Sequence, residues 1–147
     1  MRVKRKLIGK EEGLNQKLKL SLFGLRLGVF IVMFFWTLDK FVRPDHAASV
    51  FEGFYALSGL GVPVMKTIGA LELVLIVGFL LGIKKRITYG SVLILHGIST
   101  LSSYKQYLAP FEKGNLLFFA AWPMLAACVA LYLLRDEDTW FTLGSGR

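Results

Sequence analysis

Three ionisable side chains, Arg26, Glu72 and His96, fall inside long apolar runs of this 147-residue chain. A charge held within hydrocarbon costs at least about 2.5–3.5 kcal/mol on insertion scales, so each needs a partner or a task. Placed by a rise of about 1.5 Å per residue, all three fall within one turn or so of the middle of their runs. The expectation is therefore an Arg26–Glu72 ion pair, since a bidentate pair satisfies both groups. His96 is joined on its own helical face by Ser99, Thr100 and Ser103. Phe30 and Met33 share the face of Arg26, and Ile68, Leu75 and Phe79 that of Glu72.

Apolar walls with a few converging polar groups describe a pocket for a flat, partly polar molecule. A quinone ring fits: Arg26 or His96 donates to a carbonyl, and Glu72 or His96 handles protons. Glu72 and His96 are thus the catalytic candidates, and Arg26, Glu72, His96, Phe30 and Ser99 the ligand-binding set. Proton movement without a quinone uses the same residues. The structural alternative is an Arg–Glu pair that fixes helix register and a His that donates to a backbone carbonyl. No metal site is expected, because His46 belongs to the outer surface and His96 to the midplane. Cys128 stands alone and reads as a small packing residue. There is no P-loop, HExxH or GxSxG motif.

The elements that position these groups are membrane helices. Apolar residues make up 54% and charged residues 19%, with a mean hydropathy of +0.55, all shifted toward lipid relative to a soluble domain. Spans need roughly 17–25 residues, and four runs qualify: 20–38, 64–83, 87–103 and 115–134. The third is short and polar at its end. The expected fold is all-α, an integral membrane four-helix bundle over 20–135, preceded by a basic segment (1–19) and followed by a tail (136–147). The closing Gly144-Ser145-Gly146-Arg147 has linker composition and carries no functional reading. Arg26 interrupts the first run and no small-x-small site follows it, so it reads as a retained span, not a signal peptide.

Twelve Lys and Arg lie on one side of these spans and five on the other, which places both termini in the cytoplasm of a bacterial inner membrane. The net charge of +8 is then a topology signal and an attraction to anionic lipid, not to nucleic acid. Val50, Phe54 and Leu57 recur at helical spacing in the first outer loop, with Asp45 placed to cap. Residues 45–58 therefore read as a short amphipathic helix on the outer surface. Lys40 and Lys66 read as snorkelling side chains at outer span ends. Tyr104 and Tyr107 read as interfacial anchors, Trp122-Pro123 as a kink, and Gly24/Gly28 and Gly78/Gly82 as GxxxG contacts.

Arg26-x-Gly28, Lys40, Gly69-Ala70-Leu71-Glu72-Leu73, Gly78, Gly82 and the Lys84-Lys85-Arg86 turn together resemble the DoxX family of small four-helix membrane proteins. The resemblance covers about residues 20–135. It implies a bundle in the cell membrane associated with redox systems, such as thiosulfate:quinone oxidoreduction or amine-dehydrogenase maturation, and emphasises Arg26, Glu72 and Lys40. Asp39 departs from the family pattern, and without a Cys pair a thiol relay is not expected. The leading expectation is a small quinone-associated subunit of a membrane redox system, an oxidoreductase subunit only insofar as a partner protein supplies electrons, with no covalently bound cofactor. The alternatives are a non-catalytic assembly or stabilising partner, and a proton-coupled carrier working as a homodimer.

Overall fold

The computed structural model describes residues 2–144, with side chains from residue 11 onward. The basic side chains at positions 2–10 and the linker-like residues 145–147 lie outside the described part. Among the described residues every regular element is helical: α1 (Arg2–Val42), α2 (Pro44–Tyr55), α3 (Val62–Leu80), α4 (Lys85–Ser102), α5 (Tyr104–Leu108), a 3-10 segment (Asn115–Ala120) and α6 (Ala121–Leu133).

Three helices are long and apolar enough to cross a membrane: Glu11–Val42, Val62–Leu80 and Asn115–Leu133, the last including the 3-10 segment. The helix over the expected third span forms, as α4, but does not reach that threshold. Its composition explains this, because Thr88, Tyr89, His96, Ser99, Thr100 and Ser102 dilute its apolar content. Their placement is informative. The apolar residues Ile87, Ile94, Ile98 and Leu101 form a stripe at helical spacing on the exposed face, whereas Thr88, Tyr89 and Thr100 are buried. α1 has the same inversion. Leu20, Leu27, Ile31 and Phe35 point outward, and the buried face runs Leu22, Arg26, Val29, Met33, Thr37, Lys40. Over these stretches both helices turn large apolar residues outward and bury several polar side chains.

Helices α1, α3, α4 and α6 pack in a ring, with α1 against α3 and α6, and α4 against α3 and α6. The connection between α3 and α4 is the tight turn the basic tripeptide predicts, with Lys84 in the left-handed region at φ 45°. One half of the ring is filled by Leu22, Val29, Met33, Ile76, Phe79, Tyr89, Val92, Cys128 and Leu131. Cys128 is a buried packing residue there, as its composition context suggests.

Several local expectations are corrected. α1 runs past the expected 20–38 span at both ends, from Arg2 to Val42. α2 starts at Pro44, where Pro is tolerated in the first turn, with Arg43 at the N-cap position and no side-chain cap from Asp45. Pro123 likewise falls in the first turn of α6, where the 3-10 segment gives way to the α-helix. The Gly24/Gly28 pair makes no helix contact, since a Cβ at either would meet nothing within 4 Å. The close approach occurs at Gly69, where a Cβ would stand 2.9 Å from Phe41 and 3.1 Å from Lys40 Cβ. Gly78 does serve α3–α4 packing against Thr88, whereas Gly82 adopts φ +63° in the turn beneath Thr142.

Candidate functional site

The polar residues expected to converge divide between two places. Arg26 is fully buried and does not pair with Glu72. Its Nη1 donates to Asp138 Oδ2 at 3.0 Å and to the Tyr89 hydroxyl at 3.1 Å, and its Nη2 donates to the Trp140 carbonyl. The Tyr89 hydroxyl in turn donates to Asp138 Oδ2 at 2.7 Å. The partner carboxylate comes from the segment following α6, which folds back across the Arg26 end of the ring. Lys85 Nζ donates to the Asp138 carbonyl at 2.6 Å, and Leu143 N–H donates to the Leu81 carbonyl at 2.8 Å. A strap of chain thus closes that end.

Glu72 pairs instead with Lys40, Nζ to Oε2 at 2.7 Å. Fourteen residues separate Arg26 from Lys40 on α1, a rise of roughly 21 Å, so one carboxylate could not serve both. The depth estimate failed because α1 is longer than one span, which makes the centre of its apolar window a poor marker of level. Lys40 does not snorkel to an exposed end. It is 7% exposed, donates to the Trp36 carbonyl at 3.3 Å and lies 5.8 Å from the Phe51 ring centroid. The Lys40–Glu72 contact is ionic without hydrogen-bond alignment, so Glu72 Oε2 has no directional donor.

Above this pair, Asp39 gathers two further groups. Its Oδ1 accepts from Arg43 Nε at 2.7 Å and Nη2 at 2.6 Å, and its Oδ2 lies 2.6 Å from His46 Nδ1. Across the ring, His96 Nε2 donates to the Ala121 carbonyl at 3.1 Å, which puts the proton on Nε2. Thr100 Oγ1 donates to the His96 carbonyl at 2.8 Å, as a hydroxyl in a helix commonly does four residues back. Ser103 Oγ donates to the Ser99 carbonyl at 3.2 Å in the same way.

These two walls face a cavity of about 1100 Å³ that occupies the Lys40 half of the ring and extends along α1 to Gly24. Its polar lining is Asp39, Lys40, Glu72, His96, Ser99 and Ser103. The remainder is aliphatic and aromatic, including Met33, Trp36, Ile68 and Leu75. Trp36 and Leu71 reach both the cavity and the outer surface, so the space is not sealed. α2 lies over its end, contributing Ala47, Val50, Phe51 and Phe54, with Phe54 stacked on Phe118 at 5.7 Å.

Of the expected ligand-binding set, Glu72, His96 and Ser99 line this cavity. Arg26 does not, and neither does Phe30, which stacks on Phe34 at 5.5 Å beside the core. Lys40 and Asp39 were given no site role by residue pattern alone. For Lys40 the signal was spacing, since Arg26, Met33, Thr37 and Lys40 fall on one helical face; Asp39 lies off that face and had none. Tyr107, read as an interfacial anchor, packs against Phe119 and Trp122, and burial raises its hydroxyl above the usual phenol range. Among the described residues no cluster of His, Cys, Asp and Glu has the makings of a metal site. No family model, curated protein or solved structure matches the chain.

Proposed function

We propose that this is a four-span bacterial inner-membrane protein, with both termini cytoplasmic, whose outer-half chamber binds a quinone-like amphiphile for a membrane redox system. The observation that carries the reading is the cavity itself: apolar walls wide enough for a ring and part of a tail, with the Lys40–Glu72 pair on one side and His96 on the other. Lys40 is the donor for a ligand oxygen, and Glu72 and His96 are the groups that take up or release protons. Arg26 leaves the ligand set and serves to hold the strap. In this reading electrons come from a partner protein.

The outward apolar stripe of α4 supports the fourth span. A helix with Ile87, Ile94, Ile98 and Leu101 exposed and threonines buried matches a lipid solvent better than water. The DoxX-like residues of α1 and α3 point the same way, toward a small membrane subunit beside a redox enzyme. The assembly-partner alternative draws on α1, which continues past the Arg26 end of the ring with Glu11, Glu12, Leu14, Gln16 and Lys17 all exposed.

Trp36 borders the chamber and offers a direct test. With Trp122 and Trp140 replaced by Phe, a short-tailed quinone should quench Trp36 fluorescence saturably in nanodiscs, and Glu72→Gln should weaken binding about tenfold or more. Quenching that rises linearly with quinone, and equally in both proteins, would report partition into lipid and reject the site.

A further inference from the structure

We propose that α2 is a hinged lid over the chamber and that Asp39 is the positioning residue that holds it down through His46, making access to the chamber sensitive to pH. The inference rests on the chamber described above but not on the identity of its ligand.

Both ends of α2 have the geometry of hinges. Its first end is a one-residue break, Arg43, between α1 and α2. Its other end stops at Ala56, in the left-handed region at φ 56°, followed by Gly59 at φ 75°. Between them the helix contributes Ala47, Val50, Phe51 and Phe54 to the chamber roof. Apolar contact with α1, α3 and α4, the Phe54–Phe118 stack and the Lys40 ammonium over the Phe51 ring hold it there. The hydrogen-bonded fastening is Asp39, which takes Arg43 at the hinge on one oxygen and His46 in the first turn of α2 on the other.

The Asp39 side chain is 7% exposed and that of His46 is 48% exposed, so the fastening joins an anchored carboxylate to a ring that water reaches. Imidazole is the side chain that changes charge between about pH 5 and 8. The charged and titratable groups at this end of the elements around it are Asp39 and Lys40 of α1, Arg43 at the break, Asp45, Glu52 and Tyr55 of α2, Lys66 and Glu72 of α3, and His96 of α4. Of these, Asp39 is the one that His46 touches. Protonated His46 binds Asp39 as an ion pair with a hydrogen bond. Neutral His46 retains at most the hydrogen bond, so the lid loosens as pH rises.

The test is a distance measurement that needs no ligand. Spin labels at Glu52 on α2 and Lys113 on the opposite loop, in a Cys128→Ser background in nanodiscs, report lid position by pulsed electron resonance. The ratio of long to short separations should rise about two- to fivefold between pH 5 and 8, the size a half-exposed ion pair supports. His46→Gln should abolish the pH dependence, and Asp39→Asn should give the pH 8 ratio or a higher one at both pH values. Identical distributions at pH 5 and 8 in the unaltered protein would overturn the proposal, as would an unchanged pH response in His46→Gln. Either failure would leave the quenching test of the chamber standing.

Discussion

Arg26 and Glu72 show how residue type is legible in sequence while partnership is not. Each was marked by its cost in an apolar run, and each is indeed ion-paired. The partners were missed because Lys40 has an innocent reading near a helix end and Asp138 lies in a short polar segment with no pattern of its own. The Asp138 contact makes a strong prediction. Asp138→Ala leaves a fully buried guanidinium without its carboxylate and should destabilise the protein by about 3–5 kcal/mol, visible as a lower thermal midpoint. Tyr89→Phe removes the two hydrogen bonds of its hydroxyl from the same cluster and should cost about 1–3 kcal/mol. The double change Arg26→Met with Asp138→Leu should recover most of the loss, because neither charge then needs a partner.

At the scale of elements, the sequence shows the four long helices, the short amphipathic one and the tight basic turn, since each depends on local periodicity. It does not show which glycines meet a neighbouring helix, because GxxxG spacing is satisfied as readily by open space as by contact. Gly69→Ala should therefore destabilise by about 1–3 kcal/mol, as its Cβ would press on Phe41 and Lys40. Gly24→Ala and Gly28→Ala should be neutral or stabilising by up to about 1 kcal/mol, since both gain helix propensity without a clash. Thermal unfolding of the three variants in one detergent checks the contrast. α4 also belongs here: it falls short of the other three in apolar content, and its exposed stripe identifies the face it turns outward.

The whole molecule is asymmetric along its length. One end is packed with apolar side chains and strapped by the segment that carries Asp138, and the other is hollow and roofed by α2. The strap also ties the end of the described chain to the Arg26 level of α1. A four-span arrangement therefore places Lys17 and Arg135 on one side of the membrane and Glu112 on the other. Single cysteines at these positions, in a Cys128→Ser background, should react with an impermeant reagent in that pattern in oriented vesicles. Three spans would separate Lys17 from Arg135.

The central claim is that the hollow end holds an amphiphile. The most direct measurement is mass spectrometry of the small molecules that remain with the protein when it is extracted with its native lipid, comparing wild type with Glu72→Gln. A quinone-like molecule retained by wild type, depleted at least tenfold in a folded Glu72→Gln protein, is the result this account predicts. Phospholipid alone, in equal amounts in both, would contradict it and leave the assembly-partner reading in front.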